Sequence, residues 1–239
     1  MPDSSPHLPD PLPERFARTR DELHRLAVYV ISPAQRLANG EIVLRASPGG
    51  FSTYEFEGRA VGVDGAQLTV DGIHRPITSL RDAGEAIGIA PDVDQQEQFD
   101  VPAHGDLDEP LDVDEEAARA LGLWYAFATE LLEQLRGDFG AGDDASPVRL
   151  WPEHFDAAID AGDQTAGRRA TYGASPGDRH HGDPYLYVSP WAGRVDGFFA
   201  DPEFKGASLR YPQLIAADDP LAAGLAFMRE ARARIGASG

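Results

Sequence analysis

Two Asp-Gly pairs, at 64–65 and 71–72, most constrain what this chain can fold into. Asp-Gly favours the left-handed backbone of a tight hairpin turn. Short segments of strand length flank both pairs. An earlier segment, at 41–46, is predicted as a strand from its alternation of apolar and polar residues. The segments that we predict as strands are 41–46, 59–63, 67–70 and 73–78. The first part of the chain is therefore expected to form an antiparallel meander.

Helices are expected before and after this meander. The first is predicted to begin at about Arg15 or at Thr19, which has capping-box spacing to Glu22, to be interrupted at Pro33 and to end at Gly40. A shorter helix, with Ser79 as its N-cap, is expected to follow the strands. The resulting order is helix, meander and closing helix.

The second part of the chain repeats this order. A long helix is predicted from Asp112 or Asp114 to about Gly137, with Asp112 and Glu115 spaced as a capping box. The segments predicted to follow it are strands at 148–151, 155–159, 168–174, 185–189 and 207–210, and a helix at 220–234. The predicted class is α+β, with antiparallel sheets, helices on one face and two similar helix-plus-meander halves. The tetrapeptide Ala-Ser-Pro-Gly occurs at 46–49 and 174–177 and suggests a duplication.

Composition divides the chain further. Residues 91–113 carry acidic side chains and no arginine or lysine, which is typical of a solvated linker. The predicted organisation is a disordered tail at 1–13, an α+β half at 14–90, the acidic linker at 91–113 and a second α+β half at 114–239. The two halves are expected to pack either as two lobes or as one domain.

Charge and residue content exclude several functions. The chain of 239 residues has a formal net charge of −19, which opposes binding to nucleic acid or to an anionic membrane. It has no cysteine, so disulfides, thiolate metal sites and cysteine nucleophiles are excluded. The beginning of the sequence lacks the pattern of a signal peptide, and no apolar run is long enough for a membrane span. We expect a cytoplasmic protein.

Several blocks between 146 and 220 resemble a bacterial family known only as a domain of unknown function. The first block, Ser-Pro-Val at 146–148 followed by 151–158, resembles the family pattern S-P-V…W-x-x-F-D-L-A. The other matching blocks are 172–177, 183–187, 211–214 and 219–220. The resemblance implies a bacterial cytosolic protein and carries no known activity. His154, His180 and His181 are not part of the family pattern.

Side chains that can line a binding site are concentrated between 146 and 191. The residues that we predict to bind a ligand are Trp151, His154, Tyr172, Arg179, Tyr185, Tyr187 and Trp191. Aromatic rings bind apolar groups, and arginine binds anionic ones. The competing interpretation is that the aromatic residues belong to the core.

A metal site is the alternative. On a strand at 155–159, His154 and Asp156 would share one face, and a loop carrying His181 and Asp183 would bring two further ligands. Glu153 would then be the general base of a metal-dependent hydrolase. The spacing of these residues matches no standard zinc signature. Our first expectation is a protein without a cofactor, and a divalent metal is the alternative.

Residues 173–177 spell G-x-S-x-G, the nucleophile elbow of serine hydrolases. The oxyanion hole of that motif needs the backbone N–H of the residue after the serine, and Pro176 has none. A tight turn is therefore predicted here. The leading functional prediction is a non-catalytic domain that binds a small molecule or a protein through the surface between Trp151 and Trp191.

Overall fold

The structure, a computed structural model, describes residues 7–47, 49–94, 101–193 and 196–237. Its first five strands are β1 (Arg45–Ser47), β2 (Gly50–Ser52), β3 (Val61–Asp64), β4 (Gln67–Val70) and β5 (Ile73–Pro76). Each pairs antiparallel with the next. Gly65 and Gly72 have φ of 58° and 79°, the left-handed conformation that both hairpin turns require. The predicted meander is confirmed.

The first helical segment does not break at Pro33, contrary to the prediction. Helix α1 (Phe16–Leu26), a π-helical turn (Ala27–Ile31) and α2 (Ser32–Asn39) follow one another directly. Pro33 has no N–H to offer the carbonyl of Tyr29 four residues earlier. That carbonyl accepts a hydrogen bond of 2.9 Å from the N–H of Asp92 instead. The wide π turn and this external donor let the helical segment continue to Gly40, whose φ is 84°.

The predicted capping boxes are wrong, whereas the alternative starts predicted at Arg15 and Asp114 and the cap predicted at Ser79 are confirmed. Helix α1 begins before Thr19, which is fully buried and accepts a hydrogen bond of 3.1 Å from the N–H of Asp114. Asp114 itself caps the long helix α4 (Glu115–Arg136) by accepting from the N–H of Ala117 at 3.0 Å. Ser79 accepts from the N–H of Asp82 at the start of α3 (Leu80–Ile87).

A second five-stranded antiparallel sheet follows α4, again in sequence order. Its strands are β6 (Arg149–Trp151), β7 (Asp156–Ala161), β8 (Ala170–Ser175), β9 (Tyr185–Pro190) and β10 (Ala207–Arg210). The closing helices are α5 (Tyr211–Ile215) and α6 (Pro220–Gly236). The predicted α+β class, with two helix-plus-meander series, is confirmed. None of the described helices has the length and apolar content that a membrane span needs.

Two compact units make up the chain. The first unit comprises residues 9–126 and 149–156, and the second consists chiefly of 127–148 and the residues from 157 onward. The division therefore differs from the predicted boundary at 114. It assigns the first half of α4 and all of β6 to the first unit.

The described residues of the predicted linker pack onto the first unit. Leu111 is buried, and its N–H donates to the carbonyl of Thr78 at 2.7 Å. The hydroxyl of Tyr29 donates to the carbonyl of Pro102 at 2.6 Å. The acidic side chains pair with helical arginines: Asp92 with Arg36, Asp108 with Arg81, and Asp112 with both Arg15 and Arg18. The acidic segment thus neutralises individual arginines in or beside the helices of this unit, while residues 95–100 lie outside the described part.

The predicted tail also falls partly outside the described residues, at 1–6. From residue 7 onward it is described, and Leu8 is 6% exposed. The repeated tetrapeptide does not mark equivalent positions in the two sheets. Ala46 lies on the first strand of its sheet, whereas Ala174 lies near the end of the third strand of the other.

Gly122 brings helix α4 against the backbone at Gly49. A Cβ atom at position 122 would lie 2.6 Å from the carbonyl carbon and oxygen of Gly49. We expect Gly122→Ala to lower the free energy of unfolding by about 1 to 2 kcal/mol, because overpacking outweighs the gain of about 1 kcal/mol in helix propensity. Gly142→Ala is the control, since a Cβ there meets nothing within 4 Å. Urea unfolding measures both, and an unchanged midpoint for Gly122→Ala would contradict the close approach.

Candidate functional site

The sheet of the second unit has one apolar face. Its buried residues are Ala157 and Ile159 on β7, Tyr172 and Ala174 on β8, and Leu186 and Val188 on β9. Helices of the same unit cover this face. A Cβ at Gly224 on α6 would lie 2.4 Å from Leu131 on α4 and 2.8 Å from Leu186 on β9, so glycine permits close helix packing. This face is the core of the unit.

The opposite, outer face is polar and aromatic, because side chains alternate along each strand. It carries Asp160 on β7, Thr171 and Gly173 on β8, Tyr185, Tyr187 and Ser189 on β9, and Ser208 and Arg210 on β10. In cross-strand register, Thr171 stands between Asp160 and Ser189, and Gly173 stands beside Tyr187. The predicted residues Tyr185 and Tyr187 therefore share this face.

Trp191 extends the outer face beyond the end of β9. Its side chain is 49% exposed, and its backbone N–H donates to the carbonyl of Arg169 at 3.0 Å. The indole Nε1 donates to Oγ1 of Thr171 at 3.0 Å, and that hydroxyl donates to Asp160 at 2.6 Å. The guanidinium carbon of Arg169 lies 4.9 Å from the centre of the indole ring. An exposed indole is thus held in one orientation.

Arg169 is itself held in place. Its side chain is 13% exposed, and one Nη atom contacts the carbonyl oxygens of Asp144 and Gly162 at 3.3 and 3.5 Å. The same atom lies 3.4 Å from the Asp144 carboxylate. Because these contacts fix the guanidinium, the cation–π contact with Trp191 does not depend on a freely rotating side chain.

An aromatic cluster occupies the centre of the outer face. The ring of Tyr187 lies directly over Gly173, where a Cβ would come within 2.4 Å of it. Phe204 packs against Tyr187 edge to face, with ring centres 5.8 Å apart. Tyr185 lies 6.1 Å from Tyr187 and 4.9 Å from the ring of His181. Glycine at 173 is therefore required for the aromatic ring to lie flat on the sheet.

Asp178 organises the loop between β8 and β9. One of its carboxylate oxygens accepts from the backbone N–H groups of His180 and His181, at 2.7 and 2.8 Å. The other accepts from the hydroxyl of Tyr185 at 2.7 Å. Burial raises the pKa of Asp178, but these hydrogen bonds outweigh it and leave the pKa below its ordinary value. The loop is thus fixed around a charged carboxylate.

Asp201 is a second buried carboxylate, with a side chain only 2% exposed. It accepts hydrogen bonds from the hydroxyl of Ser208 and from the N–H of Glu203, and it lies 3.4 Å from Nη2 of Arg210. Burial raises its pKa, whereas these donors and His181 together lower the pKa below the ordinary value. The carboxylate is therefore a fixed negative charge beneath the outer face.

His181 lies beside this carboxylate. Its Nε2 is 3.7 Å from Oδ1 of Asp201, which is longer than a hydrogen bond. Nε2 is buried and has no hydrogen-bond partner within the described residues. Nε2 of the imidazole therefore lies beside the Asp201 carboxylate without a hydrogen bond to it. In this pair the carboxylate accepts from serine directly, so the order differs from that of a Ser-His-Asp triad.

Other predicted site residues lie elsewhere. Tyr172 is 1% exposed on the core face, where burial raises the pKa of its phenol to about 12. Trp151 and His154 belong to the first unit. Arg179 is exposed, with its Nε 3.0 Å from Nε2 of His180. The predicted surface from Trp151 to Trp191 is therefore divided between the two units.

The predicted alignment of His154 with Asp156 is wrong. Residues 152–155 form a turn in which the N–H groups of His154 and Phe155 donate to the carbonyl of Trp151, at 3.2 and 2.7 Å. Phe155 has a left-handed φ of 55°, so β7 begins only at Asp156. Glu153, the predicted general base, has a buried Oε2 without a hydrogen-bond partner in the described part of the chain.

No metal-binding group is evident in the described residues. They contain no set of three or more histidine and acidic side chains that could hold a metal ion. Of the four predicted ligands, His154 and Asp156 belong to the first unit, and His181 and Asp183 to the second. The metal-dependent hydrolase stays a prediction without a ligand set.

Ser175 is not placed as a nucleophile elbow. It is buried at the end of β8, and its hydroxyl accepts from the N–H of Gly177 at 3.2 Å. The next element is strand β9 rather than a helix. In place of the predicted tight turn, a loop at 176–184 connects β8 with β9.

The sequence did not identify Asp201, Phe204, Ser208 or Arg210 as site residues. Alternation on 207–210 indicates that Ser208 and Arg210 share one strand face. No local pattern shows that the loop before this strand returns a carboxylate to them. Comparisons with known proteins add no guidance: no family model matches the chain, and neither a curated protein nor a solved structure is significantly similar.

Proposed function

We propose that the protein is a non-catalytic binding domain that holds its ligand on the outer face of the second sheet, with Trp191 as the anchor. One observation carries the proposal: the indole is half exposed, yet its Nε1, its backbone N–H and one ring face are all engaged. A large aromatic side chain held in one rotamer loses little entropy when it binds. Such residues dominate binding energy at interfaces.

The chemistry of this face defines the ligand class. The indole offers an apolar surface, and the neighbouring hydroxyl of Ser189 is partly exposed on the same face. Arg169 contributes a positive charge over one face of the ring. These groups suit a small molecule with a planar apolar ring and a hydrogen-bonding or anionic substituent. The planar side chain of a protein partner has the same chemistry.

The family resemblance is part of this proposal. Its blocks at 151–158, 172–177 and 183–187 fall on strands β6 to β9 or on the loops between them. If the chain belongs to that family, its shared residues build the sheet rather than a reaction centre. The absence of His154, His180 and His181 from the family pattern agrees with a binding function that needs no catalytic histidine.

A fluorescence screen tests the proposal. Small aromatic and heteroaromatic acids are titrated against the full chain, with tryptophan emission and melting temperature as the two readouts. We expect a ligand that changes the emission and raises the melting temperature, and we expect Trp191→Ala to weaken its affinity about tenfold or more. Trp191→Phe keeps a ring and should retain most of the affinity, while it removes the indole signal.

Phe56→Ala provides the matched control. Phe56 is 41% exposed in the first unit, so its removal deletes an exposed aromatic ring without touching the outer face. Equal losses of affinity in Phe56→Ala and Trp191→Ala would refute the assignment of the site. The assignment would also be refuted if the Trp191→Ala variant bound every identified ligand as tightly as the wild type.

A further inference from the structure

Three arginines of the first unit have no ion-pair partner among the described residues. Most described arginines form an ion pair with an acidic side chain, as expected in a chain of net charge −19. Arg45, Arg75 and Arg149 form no such pair within the described residues. In an acidic protein, an arginine without an ion-pair partner is available to bind an anionic ligand.

Arg45 and Arg149 face each other across two strands. Leu44 and Leu150 exchange both backbone hydrogen bonds, at 2.8 and 2.9 Å, in an antiparallel bridge. The next pair in this register is Arg45 of β1 with Arg149 of β6, a non-hydrogen-bonded pair with Cα atoms about 4.5 Å apart. Leu44 and Leu150 are fully buried, so the two arginines point to the opposite, accessible face. Like charges directly opposite destabilise a sheet unless an anion lies between them.

Two hydroxyl groups adjoin the arginine pair. Ser52 is the β2 partner of Arg45, and its Oγ accepts from Nε of Arg45 at 3.2 Å, which orients the guanidinium. Tyr54 lies two residues beyond Ser52, and its backbone N–H is tied to the buried Oε1 of Gln35 at 2.6 Å. Burial raises the pKa of Tyr54, and Arg149 and Arg45 are the charges that oppose this rise. The phenol therefore stays a protonated donor close to both guanidinium groups.

We propose that Arg45, Arg149 and Tyr54 bind an oxyanion of the phosphate class. Two guanidinium groups supply paired N–H donors and two positive charges, which match the charge and the oxygens of a phosphoryl group. The phenol adds a neutral donor. A carboxylate would neutralise only one of the two arginines, so it fits the site less well.

This site does not depend on the proposed function of the second unit. Arg45, Arg149 and Tyr54 all belong to the first unit, whereas Trp191 belongs to the second. The strongly negative net charge opposes a broad anionic partner such as nucleic acid, but screening limits that repulsion to about 8–10 Å at ordinary salt. A single phosphoryl group at two unpaired arginines is therefore compatible with an acidic surface.

Calorimetric titration with inorganic phosphate at constant ionic strength tests the proposal. The wild-type chain is compared with Arg45→Gln, Arg149→Gln and the control Arg75→Gln. Arg75 is exposed on β5 and also unpaired, so its substitution changes the net charge equally without touching the pair. We expect the wild type and Arg75→Gln to bind phosphate alike, and the other two variants to bind at least about tenfold more weakly. Absence of phosphate binding to the wild type, or equal weakening by Arg75→Gln, overturns the proposal.

Melting temperatures distinguish a binding role from a structural one. Without phosphate at low salt, Arg45→Gln and Arg149→Gln should melt at or above the wild-type temperature, because each relieves the repulsion. With phosphate added, the wild type should melt highest. Variants that melt below the wild type by the same margin in both buffers would show that the arginines are structural and would overturn the proposal.

A phosphate monoester identifies the source of the phosphoryl group. Phenyl phosphate is titrated in parallel with inorganic phosphate, on the wild type and on Tyr54→Phe. Tighter binding of the monoester supports an organic phosphate as the ligand, and equal binding supports free phosphate. Loss of the phenol should weaken both severalfold. An unchanged affinity in Tyr54→Phe would remove Tyr54 from the site.

Discussion

Asp201→Ala should lower the free energy of unfolding by about 3 kcal/mol, because it removes a buried carboxylate that several groups share. The hydroxyl of Ser208 and the N–H of Glu203 lose their acceptor, and Arg210 loses its only ion-pair partner among the described residues. Arg210 is 36% exposed and regains some solvation, which keeps the loss below the largest values known for buried pairs. Urea unfolding followed by circular dichroism measures the change.

Two further variants serve as controls for the change in unfolding free energy. Asp183→Ala removes an exposed carboxylate just before β9 and should change stability by less than about 0.5 kcal/mol. Asp201→Asn keeps an acceptor oxygen but no charge, and its loss should lie between those of the other two. If Asp201→Ala were as mild as Asp183→Ala, the contacts of the Asp201 carboxylate with Ser208, Glu203 and Arg210 would not stabilise the fold.

Acidification should destabilise the first unit through His24. The imidazole stacks on Phe155, with ring centres 4.8 Å apart and planes at 3°, and its Nε2 donates to the carbonyl of Pro152 at 2.8 Å. Burial lowers the pKa of His24 from 6.5 to about 4, against the effect of that hydrogen bond, and Arg20 and His154 lower it further. Below pH 6.5 the unfolded chain therefore binds a proton that the folded chain does not.

The stabilisation is complete above pH 6.5 and is lost as the pH falls towards 4. Between pH 7 and pH 4.5 this one group should remove about 2 kcal/mol of unfolding free energy, a value reduced to allow for partial exposure of the ring. His24→Gln retains an amide donor for Pro152 but cannot titrate, so its pH dependence should be smaller by that amount. Urea midpoints at the two pH values provide the measurement.

His74→Gln is the matched control for this prediction. His74 is exposed on β5 of the same unit, so the same substitution there should leave the pH dependence of the wild type in place. A His24→Gln variant with the wild-type pH dependence would show that the stacked imidazole does not oppose protonation. Phe155 is held in a left-handed turn by these contacts, so the turn is the region expected to open first in acid.

Local patterns predicted the elements of this fold more accurately than their ends. The Asp-Gly pairs, the Ser79 cap and Gly40 each act through the backbone of their neighbours, so the sequence around them was sufficient. The capping boxes failed because the same spacing occurs inside helix α1, where Thr19 bonds to the N–H of Asp114, 95 residues away. The predicted break at Pro33 also failed because of a contact that is distant in sequence. The N–H of Asp92 donates to the Tyr29 carbonyl, which Pro33 cannot reach with an N–H of its own.

The candidate site was predictable only where alternation along a strand applied. Tyr185 and Tyr187 alternate with Leu186 along β9, which is sufficient to put both tyrosines on one strand face. Tyr172 belongs to the same predicted set of ligand-binding residues, although its position on β8 puts it on the core face. The predicted strand position of His154 is wrong, because no local sequence signal indicates that Phe155 adopts a positive φ.

Alternation, turn residues and caps determined from the sequence alone that this chain forms two helix-plus-meander series. Only the tertiary structure decided where its charges lie. The acidic segment that reads as a solvated linker forms ion pairs with four arginines in or beside α1, α2 and α3, namely Arg15, Arg18, Arg36 and Arg81. Asp201 reaches Ser208 and His181, and Arg45 comes to face Arg149 across about a hundred residues of chain. Backbone preferences act between neighbours in sequence, whereas charges pair between neighbours in space, and these neighbours exist only after folding.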